Sequence, residues 1–176
     1  PLPPAGGEPL PLAVAGPRGG NTLPPIEIAG MRDSDAAESR LRIRSALRSS
    51  GFELGNRNVA FNVAPSGVGR LGGSGFDLAL AVAYLAATRQ IDPSIVEGRM
   101  FVGELMLSGS VRADGVDLYN SSRCAAGNGM ELVTGAADAD AQYPCEYLEL
   151  ASLDSLRCGE MVRRRHVWPN GKPGVP

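Results

Sequence analysis

Ser74 stands where a glycine-rich loop passes into an apolar run, GGSGFDLALAVAYLAA over 72–87. A hydroxyl at that place has two chemical uses. It can be a nucleophile, with backbone N–H groups of the helix N-terminus forming an oxyanion hole. It can instead cap the helix, with Asp77 in the first turn favoured by the helix dipole. The residue inventory favours the cap. A serine nucleophile needs a general base, and the chain has one histidine, His166, remote in sequence and inside a basic segment. It has one lysine, Lys172, close to the C-terminus. The other basic residues are arginines, which do not release a proton near neutral pH.

Two further patterns overlap this loop. GVGRLG at 67–72 has the G-x-G-x-x-G spacing that lets backbone approach a pyrophosphate at a helix N-terminus. Its glycines follow the preceding strand only after Pro65, and no acidic residue ends the next strand, which argues against a dinucleotide. The same loop reads Gly67-x-x-x-x-Gly72-Gly73-Ser74, a P-loop with glycine where the lysine belongs. Without that charge, and without a strand ending in a magnesium-binding acid, nucleoside triphosphate hydrolysis is not expected. No cofactor and no metal is expected in this chain.

Arg40, Arg44 and Arg48 recur at i, i+4 and i+8, with Arg42 nearby. Like charges at that spacing cost a helix roughly a few tenths of a kcal/mol per pair. The stripe is either a solvated face or a surface presented to phosphates or to a neighbour's acidic residues. Arg163–Arg165 could extend it.

A chain of 176 residues suffices for one domain with a real core. Composition is that of a globular protein, at 43% apolar and 20% charged. A net charge of −2 gives no global basic field for nucleic acid. No apolar run is long enough to span a membrane, and the start PLPPAGGEPLPL is not a secretory signal. Cys124, Cys145 and Cys158 lack metal-ligand spacing and read as free thiols of a reducing cytoplasm.

Short strands are expected at Leu12–Ala15 and Ile26–Ala29. A helix runs from a cap at Ser34 or Asp35 to about Ser50, with capping-box spacing between Asp35 and Glu38, and stops at Gly51. Its narrow buried face is Ile43, Ala46, Leu47 and Ser50. Val59, Phe61 and Val63 alternate as a strand. The buried helix then runs to about Arg89. A strand over Met100–Leu107 turns at Ser108-Gly109. A helix at Tyr119–Asn128, a strand at Glu131–Thr134, a short helix at Ala136–Gln142, a strand at Tyr147–Leu150 and a last helix near Leu153–Val162 complete a mixed α/β (α+β) domain. Residues 1–11 are an irregular segment, 12–168 the domain, and 169–176 a disordered tail.

Four blocks in order carry a family resemblance: IEIAGMRDSDAAESRLRIRSALRSSGFEL, NVAFNVAP, GGSGFDLALAVAYLAA and FVGELMLSGSVR. They resemble the N-terminal domain of the magnesium-chelatase-like competence proteins, the ComM/YifB family. That domain is similar to the Lon protease domain and to the C-terminal domain of the recombination ATPase RadA. The resemblance covers roughly Leu12–Val162 and implies a Lon-protease-like fold of the ribosomal-S5-domain-2 type. It places Ser74 at the Lon nucleophile position and Leu118 at the position of the Lon lysine. The implied domain is a retired protease that acts in a ring beside an AAA+ motor, contacting DNA in recombination or uptake. Its implied partners are further copies of itself, DNA and that motor, with Arg40, Arg42, Arg44 and Arg48 as the contact face. The rivals are a serine peptidase using Ser74 with an unusual base, His166 or Lys172, and a protein–protein adaptor without nucleic acid. Family members continue into a motor with a real P-loop, and nothing of the kind follows Trp168. An excised domain, a stand-alone relative or a product of gene decay is therefore expected, and a first residue other than methionine fits the first of these.

Overall fold

The computed structural model describes residues 12–18, 26–55, 58–63, 73–113, 118–136 and 145–166, with backbone alone at 12–18, 58, 73, 145, 165 and 166. In chain order the elements are β1 (Leu12–Arg18), β2 (Ile26–Ala29), α1 (Asp33–Ser49), β3 (Asn58–Val63), α2 (Asp77–Ala87), β4 (Arg99–Phe101), β5 (Glu104–Leu105), β6 (Val111–Arg112), α3 (Leu118–Gly127), β7 (Glu131–Thr134), β8 (Cys145–Glu149) and β9 (Val162–His166). Single 3-10 turns lie at Gly73–Phe76, Pro93–Ile95 and Leu153–Arg157.

Two small sheets enclose the apolar helix. β1 runs antiparallel and β2 parallel to the central β3. In the second sheet, ordered β4-β7-β8-β9, the first two pairings are parallel and the last antiparallel. α2 touches strands of both sheets, which is why Leu78, Leu80, Ala81, Val82, Tyr84 and Leu85 are all buried. One core joins them to Ile26, Ile43, Leu47, Phe61, Val133 and Leu148. Alternation along a strand sends neighbours to opposite faces. Leu132 and Tyr147 therefore leave that core and meet Ala125 of α3 in a second, smaller cluster.

The alternation read in Val59, Phe61 and Val63 is observed, with all three buried. Four expectations need correction. α1 starts at Asp33 with Arg32 as N-cap and has no side-chain cap. Asp35 lies inside the helix, where it accepts from Arg32 Nε at 2.8 Å, so neither it nor Ser34 caps and no capping box forms. Gly51 does stop the helix. Its φ of +72° lets Phe52 N–H reach back to Leu47 O at 2.9 Å. Second, the strand expected over Met100–Leu107 breaks at Val102-Gly103, because the chain leaves one sheet there to form the β5–β6 hairpin.

Third, among the described residues no α-helix follows Leu153. A 3-10 turn ends near Gly159, whose φ is +67°, and β9 pairs with β8 instead. Three successive arginines suit that strand: Arg163 bonds Glu131 on one face, and Arg164 bonds Glu149 at 2.8 Å on the other. Fourth, α2 begins at Asp77 with Phe76 as N-cap, so Ser74 does not cap it. The loop at 64–72, most of the helix expected over 136–142, and the segments at 1–11 and 169–176 lie outside the described residues. Among the described residues no helix is long and apolar enough to cross a membrane.

Candidate functional site at the head of the buried helix

Ser74 is half-buried within the 3-10 turn that feeds α2. Directly beyond it the backbone is strapped to the β4–β5 connection. Gly103 N–H donates to Gly75 O at 2.9 Å, and Leu78 N–H donates to Gly103 O at 3.1 Å. The second bond uses one of the donors that a helix start leaves unsatisfied. That donor is therefore not free for an oxyanion or a phosphate. Glycine is favoured at the strap: a Cβ on residue 103 would lie 3.1 Å from Arg112 O and 3.2 Å from Val111 Cγ1, tighter than side chains ordinarily pack.

Asp77 is the charge inside this apolar helix, and it is fully buried. Its Oδ2 accepts from Arg42 Nε of α1. Arg42 also reaches Ser39 Oγ at 3.4 Å and Glu38 at 3.5 Å. The second Asp77 oxygen has no hydrogen-bond partner among the described residues. Burial pushes the Asp77 carboxyl above the ordinary aspartate range. The Arg42 hydrogen bond and the nearby Ser39 hydroxyl oppose that rise, and the charge of Glu104 adds to it. The Arg42 guanidinium is in turn held more firmly protonated, first by its bond to Asp77. The pair ties α1 to α2 and commits Asp77, so this carboxylate is not available to activate Ser74.

Among the described residues none bonds the Ser74 hydroxyl. Leu118 begins α3, half-buried, and packs against the cluster of Ala125, Leu132 and Tyr147. The side chain of His166 and the whole of Lys172 lie outside the described residues, as do most of the two glycine motifs at 67–74. Cys124 is partly buried and Cys158 exposed, both as free thiols, while the Cys145 side chain is outside the description. No group of three or more potential metal-binding side chains occurs among the described residues.

The arginine stripe divides. Arg40, Arg44 and Arg48 line a shallow groove of about 410 Å³ on the outer face of α1, together with Ala37, Leu41 and Ser45. Arg42 projects inward to Asp77 and does not belong to that face. Sequence reasoning missed both the Arg42–Asp77 pair and the Gly103 strap. The pair had a signal: one acid in an otherwise apolar helix, and one arginine a single turn beyond the buried Ser39.

Residues 18–130, well over half the chain, match the family described as subunit ChlI of Mg-chelatase. The chain belongs to that family. It is similar to the uncharacterized protein YifB of Salmonella typhimurium, at 39% identity over 92 residues, covering 52% of this chain and 18% of YifB. YifB of Escherichia coli is 36% identical over 90 residues, covering 51% of this chain and 18% of its own length. The competence protein ComM of Haemophilus influenzae is 35% identical over 92 residues, covering 52% of this chain and 18% of ComM. The chain is thus a member of the ComM/YifB group within the ChlI family, and the match spans less than a fifth of these relatives' length.

Proposed function

We propose that this chain is a non-catalytic, Lon-protease-like module of a ComM-like protein. It assembles with copies of itself as a ring in the cytoplasm and positions DNA or an AAA+ motor during recombination or DNA uptake. The observation that carries this reading is the hydrocarbon at Leu118. The resemblance puts Leu118 where a Lon-type protease has its lysine, and Leu118 packs against an apolar cluster. A hydroxyl deprived of its base loses several orders of magnitude in rate. Asp77, an ionisable group close to the turn, is tied to Arg42. The strap at Gly103 further supports the reading, because it occupies a backbone donor at the head of α2.

A scaffold without its chemistry keeps its surfaces, and the outer-face arginines of α1 are the surface assigned to contact. Light scattering and a salt-dependent DNA titration test the proposal. Assembly above the monomer mass, with DNA affinity falling as salt rises, is expected. Ring formation with no DNA shift would favour the adaptor role instead. A monomer without salt-sensitive DNA affinity would refute both halves. Peptide turnover that vanishes in Ser74→Ala would replace the reading with a peptidase.

A further inference from the structure

Several arginines among the described residues are paired with acids. Arg32, Arg42, Arg99, Arg163 and Arg164 each meet a carboxylate. Arg40, Arg44 and Arg48 meet none among the described residues. They stand about 6 Å apart along the helix axis, a stripe of like charge that α1 tolerates at a cost. In their midst Leu41 is 63% exposed. At the C-terminal end of the helix Ser49 Oγ donates to Leu107 O at 2.9 Å, which sets a second exposed leucine against the same helix.

An unpaired surface of opposite sign lies elsewhere on the chain. Asp92, Glu97, Asp154 and Glu160 are exposed around the turns Pro93–Ile95 and Leu153–Arg157, and none has an ion pair among the described residues. The two turns abut, since a Cβ on Gly159 would lie 4.0 Å from Ile95 Cδ1. Arg157, the cation of the second turn, is engaged elsewhere: it bonds Gly51 O and stacks 4.2 Å over the Phe52 ring.

We infer that the outer face of α1 docks on the acidic ridge formed by these two turns in a second copy of this chain. The inference rests on the assembly half of the proposed function and says where the copies meet. Charge complementarity selects the partner: the chain supplies both signs, each left unpaired. The exposed Leu41 and Leu107 favour a protein surface over a polyanion, because an interface core takes apolar side chains that a phosphate backbone cannot use. Two different patches meeting in successive copies make a heterologous contact, the kind that closes rings.

Two charge-reversed chains test it by light scattering: Arg40→Glu/Arg44→Glu/Arg48→Glu, and Glu97→Lys/Asp154→Lys/Glu160→Lys. Each alone is expected to be monomeric where the natural chain assembles, with self-affinity weakened by at least roughly tenfold. Mixing the two is expected to restore assembly, and that recovery also shows both are folded. If the natural chain assembles and neither variant changes it, the docking surface is wrong while the assembly reading stands. If the arginine variant still assembles but loses salt-sensitive DNA binding, the face belongs to nucleic acid and the inference fails. A natural chain that is monomeric at tens of micromolar overturns the assembly reading and this inference with it.

Discussion

Replacing Arg42 with methionine tests the electrostatics at the head of α2. The substitution keeps the aliphatic stem against α1 and removes the guanidinium. Asp77 is then a fully buried carboxylate without its charged partner, and one of its oxygens already lacks a hydrogen bond among the described residues. Removing one member of a buried pair typically costs about 3–5 kcal/mol. The carboxylate can escape by taking up a proton, and that sets a ceiling. Each pH unit above the ordinary aspartate value costs ~1.4 kcal/mol, so the escape costs about 4 kcal/mol at pH 7 and under about 2 kcal/mol at pH 5. Arg42→Met should therefore lose roughly 3–4 kcal/mol at pH 7, a melting point lowered by roughly 10 °C, and the deficit should narrow at pH 5. The sign follows from linkage: a carboxyl raised above its unfolded value binds more protons when folded, so stability rises as pH falls towards the unfolded value. Arg42→Met/Asp77→Leu should recover to within ~1 kcal/mol of the natural chain. Urea denaturation at the two pH values reads all of this. A single variant within ~1 kcal/mol of the natural chain at pH 7, or a deficit that grows on acidification, would refute the reasoning.

Other outcomes follow from the same geometry. Gly103→Ala should cost about 1–3 kcal/mol in denaturant unfolding, because its Cβ meets the backbone carbonyl of Arg112 and the strap must shift. Ser74→Ala should change stability by less than ~0.5 kcal/mol, whereas a serine that capped α2 would cost about 1 kcal/mol. Glu131, held by its hydrogen bond to Arg163, should titrate below the usual carboxylate range by NMR and return towards it in Arg163→Ala. Its contribution to stability should be present at neutral pH and be lost as pH falls through its folded value.

Periodicity carried most of the fold. The period-two pattern of Val59, Phe61 and Val63 and the all-round apolarity of 78–86 each have one structural solution, and both are observed. Sequence reasoning failed where a competing bond overrides the pattern it read. Asp35 has the spacing of a capping box, but an ion pair with Arg32 takes its carboxylate. Met100–Leu107 reads as one strand, yet Gly103 breaks it to reach Gly75, a partner 28 residues earlier that no local pattern reveals. Arg163–Arg165 read as an extension of the basic surface, until Glu131 and Glu149 are seen to take up Arg163 and Arg164 across the strands. The candidate site was half legible. Ser74 and Leu118 were placed by resemblance and the arginine stripe by spacing. That Arg42 leaves the stripe for Asp77 depends on how α1 is rotated against α2, which the spacing of four arginines does not encode.

On the proposed function, Ser74 sits in its turn without the means to be activated. Labelling with a serine-directed fluorophosphonate, read by peptide mass spectrometry, tests it most directly. Ser74 should be modified no faster than the surface serines Ser94 and Ser108. A stoichiometric adduct on Ser74, formed faster than on those residues in the folded chain, would contradict it.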